Sequence, residues 1–336
     1  MATLLTDHEI TERVLGHIAN RTTDVGDEVW REPVENYRSP ERLKKEIECV
    51  MRRSFAAFCP SAALPETGSY VARDAAGRSI VAVRGQDGIV RAFHNVCRHR
   101  GMRIANDSGC TRAFVCPYHG WTYELDGRLR HLPHTEGFPN LDKDRHGMVA
   151  VEAVERQGLI FVAQTAGANP IQVADGQDLI QPEQKLYSVS MRETNANWKV
   201  VLEGFLEGYH IRATHPESFF AYGFDNLNVV ERFGNHSRVT FPFRRIQKLA
   251  AVPPQERRVM GYVTFVYHLF PNALITVLSN HTNLLVLEPQ GVDRTNVVAY
   301  SVTNKSGDPA DALEAAQRDS TRYGQRRERV FYLRPV

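Results

Sequence analysis

Two cysteines and two histidines occur in this chain as Cys97-Arg98-His99 and, after a gap of sixteen residues, Cys116-Pro117-Tyr118-His119. The C-x-H and C-x-x-H pairs constrain the fold more than any other stretch, because four such donors can serve one metal centre only if two loops are held side by side. Short β-branched or aromatic runs surround them: Ser69 to Ala72, Ile80 to Val83, Ile89 to Phe93, Ala113 to Val115 and Trp121 to Leu125. Gly77, Asp87-Gly88 and Asp126-Gly127 supply turns between them. The pattern predicts a small antiparallel β domain with the two pairs at the tips of neighbouring hairpins. Strands within Val149 to Val162 close it, with Leu159 to Val162 fully buried.

A Cys2His2 set suits tetrahedral zinc, but zinc fingers group the two Cys together and the two His together. Here each loop contributes one of each, as a Rieske [2Fe–2S] cluster requires: two thiolates on one iron and two neutral imidazoles on the other. Gly101 and Gly120 follow the histidines and allow backbone N–H groups to approach the sulfurs, while Pro117 stiffens the second loop. Cys110 lies in the gap without a second spare cysteine and reads as packing. His94, His131 and His134 flank the loops without ligand spacing.

The chain has 336 residues, 42% hydrophobic and 24% charged, enough for about two domains. Forty-one basic against 39 acidic residues leave a formal charge of +2, which predicts no general attraction to nucleic acid or to anionic membrane. The N-terminus lacks a signal-peptide pattern and no segment reaches ~18 uninterrupted apolar residues, so a cytoplasmic location is expected. Five cysteines are an odd number for a disulfide framework. Asp7 to His17 and Pro40 to Phe58 have helical spacing, with Leu43, Ile47, Val50 and Met51 as one buried stripe. Cys49 and Cys59 within this N-terminal segment, residues 1–60, read as buried thiols.

The β domain is expected over residues 61–165, and Gln164 to Pro182 is a polar excursion leading into a second domain over 166–336. That domain opens with a strand from Leu186 to Arg192 and a helix running from Asn197 through Tyr209, stopped by Pro216. Strands follow at Val239 to Phe243, Tyr262 to Phe270, Ala273 to Leu278, Asn283 to Leu287 and Asn296 to Thr303, and a last helix from Pro309 to about Arg329. The fold class expected is α+β, a small β domain joined to a helix-grip domain whose antiparallel sheet and long helix enclose a cavity. Phe205, Tyr209, Phe219, Phe220 and Tyr222 read mainly as core, one or two of them lining that cavity. His268 and His281 read as hydrogen-bonded core residues.

The helix carries Glu203, Glu207, His210 and His215 in order. Glu207 and His210 share a face, whereas His210 and His215 stand roughly 140° apart on a straight helix. A kink or stop between the histidines is therefore expected if both reach one ion. Two histidines and a carboxylate with open positions form the facial triad of non-haem Fe(II) oxygenases.

The motifs N-V-C-R-H-R-G, C-P-Y-H-G-W-x-Y-x-L-x-G, N-W-K and E-G-Y-H-I-R-A-T-H-P together resemble those of the α subunits of Rieske non-haem iron oxygenases, a group that includes ring-hydroxylating dioxygenases and the choline and carnitine monooxygenases. The likeness runs from about Tyr37 to Asp319. It implies a [2Fe–2S] cluster on Cys97, His99, Cys116 and His119, and a mononuclear Fe(II) on His210 and His215. It also implies a carboxylate bridge at Glu207, electrons from NAD(P)H through a ferredoxin or flavin reductase, and a homotrimer in which electrons cross between subunits. The implied reaction is O2-dependent mono- or dihydroxylation, or oxidative dealkylation, of a small organic substrate. Glu at position 207, where many ring dioxygenases have Asp, resembles the quaternary-ammonium monooxygenases.

The resemblance fails at the C-terminal helix, where the family supplies its third iron ligand as the Asp of a Glu-Asp pair. By spacing, Glu328 takes the place of the Glu and Arg329 that of the ligand, with Asp319 and Asp311 the nearest upstream carboxylates. An altered or truncated C-terminus is the expectation, with Glu328 as substitute ligand. The alternatives are a Rieske-type electron-transfer protein and an oxygenase impaired by the lack of a third ligand.

Overall fold

A computed structural model describes residues 4–168, 178–278 and 281–303 of the chain. They fall into two compact units, one of residues 4–44, 183–278 and 281–303, the other of residues 45–168 and 178–182. The expected N-terminal segment 1–60 is therefore divided at residue 44, because its first helix packs in one unit and its last residues form a strand of the other.

The smaller unit holds ten strands: β1 (Ala56–Pro60), β2 (Ser69–Ala75), β3 (Arg78–Arg84), β4 (Val90–His94), β5 (Ser108–Cys110), β6 (Phe114–Val115), β7 (Thr122–Tyr123), β8 (Leu129–His131), β9 (Ala150–Arg156) and β10 (Leu159–Ala163). Seven form an antiparallel sheet in the order β1-β10-β9-β4-β3-β2-β5, and β6-β7-β8 form a second, three-stranded one. Ala76 and Gly77 turn β2 into β3, both at positive φ, as a two-residue turn matched to strand twist demands. The core between the sheets contains Phe93, Trp121, Tyr123, Leu125 and Leu132 as well as Cys97 and Cys116.

The helix expected over Pro40 to Phe58 is shorter. An α-helical turn, Pro40–Lys45, passes into a π-helical one, Glu46–Met51, and Ala56 to Phe58 lie in β1 paired with β10. Of the expected stripe only Met51 is buried, and Cys49 and Cys110 are exposed, correcting their reading as packing residues; Cys59 is fully buried. Burial pushes the Cys59 thiol up to about 12.

The larger unit has a seven-stranded antiparallel sheet of β11 (Leu186–Thr194), β12 (Val229–Phe233), β13 (His236–Pro242), β14 (Val263–Leu269), β15 (Ala273–Val277), β16 (His281–Pro289) and β17 (Thr295–Thr303), ordered β11-β17-β16-β15-β14-β13-β12. Strand β12 escaped the sequence reading, although Val229, Glu231 and Phe233 alternate in burial and Gly234-Asn235 is a hairpin turn pair. Its buried Glu231 pairs with Arg238 of β13 at 2.7 Å, so a charge pattern that looks like surface is internally compensated. Helix α1 (Asp7–Asn20) begins with a capping box between Thr6 and Glu9 and buries Ile10 and Val14 against Val229, Ile246 and Phe265. The long helix expected to reach Tyr209 ends sooner, as α2 (Trp198–Leu206), capped by Asn197.

Candidate metal centres

In the smaller unit the two ligand loops have the same backbone scheme. Cys97 N donates to Met102 O and Gly101 N to Cys97 O, while Cys116 N donates to Trp121 O and Gly120 N to Cys116 O. Each cysteine is thus followed after four residues by a glycine that closes the loop at positive φ, 74° and 70°. Buried Asn95 braces the first loop: its amide donates to Ala105 O and Ser79 Oγ, and its oxygen accepts from Ile104 N and Ala105 N.

The four predicted side chains meet here in two pairs, Cys97 with Cys116 and His99 with His119. Cys97 and Cys116 are 3% and 2% exposed, whereas His99 is half-buried and His119 exposed, so the sulfur end points inward and the imidazole end outward. His99 Nδ1 and His119 Nδ1 face each other at 3.1 Å. Two nitrogens held about 2.0–2.1 Å from one tetrahedral ion stand about 3.3 Å apart, so the pair fits a shared metal. Burial, with His119 and Arg100 nearby, lowers the pKa of His99 and favours the neutral ring that a ligand needs. Burial raises the Cys97 thiol, so its deprotonation calls for a cation.

Trp121, Tyr123 and His146 were not singled out from the sequence. Trp121 stacks on His99 at 5.1 Å and 5°, and His146 meets the indole in a T-shaped contact at 6.3 Å. The Tyr123 hydroxyl accepts from Arg98 N at 3.0 Å and lies 3.2 Å from Cys97 Sγ, leaving its own proton for the sulfur. Its pKa is raised by burial and by Cys97. The one signal for it was the second tyrosine of C-P-Y-H-G-W-x-Y.

In the larger unit the chain leaves the helix at Glu207, which is extended at φ −130° and ψ 154°, and turns through Gly208 into α3 (Ile211–Thr214). His210 is the N-cap of that short helix and His215 its C-cap. One break comes before His210, so that Glu207 and His210 meet across a turn instead of along a helix face, and a second falls at His215, which leaves the helix at φ −126° and ψ 46°, the stop expected between the histidines. The Glu207 carboxylate accepts from His210 N at 3.2 Å and from Tyr209 N, and pairs with His210 Nδ1. A carboxylate on Nδ1 leaves Nε2 as the nitrogen available to a metal. The imidazoles of His210 and His215 approach edge to face at 5.4 Å, and His215 packs on Phe219 at 5.4 Å. Two imidazoles and a hydrogen-bonded carboxylate fit a mononuclear iron as a partial donor set. Glu203 points elsewhere and accepts from the Tyr37 hydroxyl at 2.9 Å.

Among the described residues, no three His, Cys, Asp or Glu side chains are arranged as the ligand set of a single ion. Glu328, Asp319, Asp311 and the expected C-terminal helix lie outside the described residues. His131 and His134 are exposed, His94 is half-buried, and His268 places Nε2 3.3 Å from Pro271 O as a packed strand residue.

Residues 54–143 match the family described as the Rieske [2Fe-2S] domain, and residues 183–329 match the ring hydroxylating alpha subunit catalytic domain. The carnitine monooxygenase oxygenase subunit of Escherichia coli (strain K12) is 31% identical over 215 residues, 61% of this chain and 56% of that protein. The glycine betaine monooxygenase oxygenase subunit of Chromohalobacter salexigens is 34% identical over 188 residues, 54% of this chain and 42% of that one. The chain thus spans about half the length of the curated relatives it matches. A crystal structure of the quaternary ammonium Rieske monooxygenase CntA superposes with a TM-score of 0.75 at 23% identity, covering 94% of this chain and 84% of that one, a likeness of fold.

Proposed function

Because this chain belongs to the α subunits of the Rieske non-haem iron oxygenases, whose two characteristic domains account for residues 54–143 and 183–329, we propose that it is the terminal oxygenase of an NAD(P)H-driven system. Its reaction is O2-dependent hydroxylation or oxidative dealkylation of a small organic substrate. The pair of facing Nδ1 atoms at His99 and His119, over two buried cysteines, carries this reading. When bound, the cluster supplies single electrons and the mononuclear iron supplies dioxygen activation.

Cys97, Cys116, His99 and His119 would hold the first group, and His210 and His215, with a further ligand, the second. His119 presents its ring at the surface against Tyr118, which is 56% exposed, and Met102 of the other loop is 44% exposed, so an electron-transfer partner has apolar side chains to seat on. Glu207 fixes the tautomer of His210 through Nδ1 and, being half-exposed beside Tyr209, can accept a second imidazole N–H from another copy of the chain. That arrangement supports a homotrimer fed by a ferredoxin or flavin reductase.

A quaternary ammonium compound is the substrate class proposed. Glu at position 207 and the likeness to carnitine and glycine betaine monooxygenases both favour it. No helix among the described residues is long and apolar enough to cross a membrane, and a cytoplasmic location is proposed.

Iron and acid-labile sulfide measured in anaerobically purified protein test the proposal. Three irons to two sulfides are expected, together with O2 uptake dependent on a quaternary ammonium substrate and a surrogate reductase. Equal iron and sulfide would overturn the oxygenase reading in favour of a protein in which the cluster alone works.

A further inference from the structure

The turn that carries Glu207 rests on a buried oxygen with nothing to bind. Asn228 is 7% exposed, and its Oδ1 has no hydrogen-bond partner. It lies directly beneath Gly208: a methyl group there would stand 2.5 Å from Asn228 Oδ1, 3.4 Å from the Phe241 ring and 3.6 Å from Asn226 Cα. The backbone of Asn228 is firmly held. Its N–H donates to Thr23 Oγ1 at 2.9 Å, and its carbonyl accepts from Asp24 N at 3.2 Å, so the strap that follows α1 anchors the platform under the turn. An unsatisfied buried acceptor is costly and uncommon.

Three of the roughly four acceptor positions of the Glu207 carboxylate are meanwhile taken within its own chain, one oxygen on the Tyr209 and His210 amides and the other on His210 Nδ1. An outward rotation toward an imidazole of a second copy releases the two amides. We infer that Asn228 is a positioning residue for Glu207, its Oδ1 accepting a backbone N–H of the Gly208–His210 turn when the carboxylate swings outward. The exchange explains both features: the orphan acceptor in the inward state, and a glycine at 208 that lets the turn sink onto it. Removing the acceptor leaves the inward state as it is and makes the outward state rarer, by roughly tenfold for one lost hydrogen bond. The inference rests on reading Glu207 as the bridge between copies.

Amide hydrogen exchange of the peptide containing Tyr209 and His210, in the metal-loaded protein as purified, is the test. Asn228→Leu, of the same branched outline without an acceptor, is expected to slow exchange of these amides roughly tenfold, because they stay on Glu207. Exchange that is unchanged or faster in Asn228→Leu would overturn the inference, since a residue that merely packs would loosen the turn when replaced. If Leu does not fold, Asn228→Ala carries the same expectation and the same refutation. Glu207→Gln in the wild-type background should speed the exchange. The readout requires no turnover, so failure of the oxygenase reading would appear separately, as equal iron and sulfide.

Discussion

Replacing Tyr123 by Phe removes one oxygen atom from a fully buried side chain that touches both Cys97 and the backbone of Arg98. The two contacts respond differently. The Arg98 N–H loses its acceptor in either oxidation state, which lowers stability by about 1–3 kcal/mol. The bond to Cys97 Sγ is stronger when the sulfur carries more negative charge, so it favours the reduced form of a bound cluster. A net hydrogen bond is worth about 0.5–1.5 kcal/mol, and a one-electron couple moves about 59 mV per tenfold change, so the reduction potential should fall by roughly 20–60 mV. Spectroelectrochemical titration of the visible absorption in the wild type and Tyr123→Phe measures this directly, with a thermal melt reporting the stability loss alongside. A potential that is unchanged or rises, in a variant that keeps its full sulfide content, would refute the assignment of the hydroxyl proton to the sulfur.

Glu207→Gln keeps the volume of the side chain but removes its charge; on the proposed bridging role, cluster content should be unchanged while substrate-dependent O2 uptake falls roughly 10–100-fold. Asn95→Ala deletes four hydrogen bonds, three of them buried, at the root of the Cys97 loop, and a loss of about 2–4 kcal/mol is expected, read as a lower melting temperature and as protein purified with substoichiometric sulfide. Burial lowers the pKa of His268 below its ordinary 6.5, so folding favours the neutral ring. The unfolded chain then binds the extra proton first, and stability should be full above about pH 6.5 and lost as the pH falls toward the folded-state value. Urea midpoints measured from pH 7.5 down to 5 should show this slope, and His268→Gln should flatten it.

The two Cys–His pairs are legible in the sequence because their pattern is local: each loop carries its own Cys, His and closing glycine, and the hairpins on either side alternate clearly. His210 and His215 are legible as a pair, but the helix before them is shorter than its periodicity predicts. Periodicity carries Trp198 to Tyr209 as one apolar stripe, and only packing of Gly208 against Asn228 and Phe241 ends it at Leu206. Strand β12 was hidden because Glu231 and Arg232 look solvated until Arg238 is found across the hairpin. Cys49 and Cys110 were misjudged, since burial of a small apolar residue depends on what lies over it and not on its neighbours in sequence.

By itself the sequence determined the metal chemistry, since thiolate and imidazole donors at fixed spacing have few uses, and it determined the two-domain α+β plan. Only the tertiary structure decided which atoms face each other: the Nδ1 atoms of His99 and His119, the Tyr123 hydroxyl on Cys97, and the Glu207 carboxylate turned back on its own amides. Those contacts join residues distant in the chain or separated by a turn, and their geometry is set by packing, which no local pattern encodes.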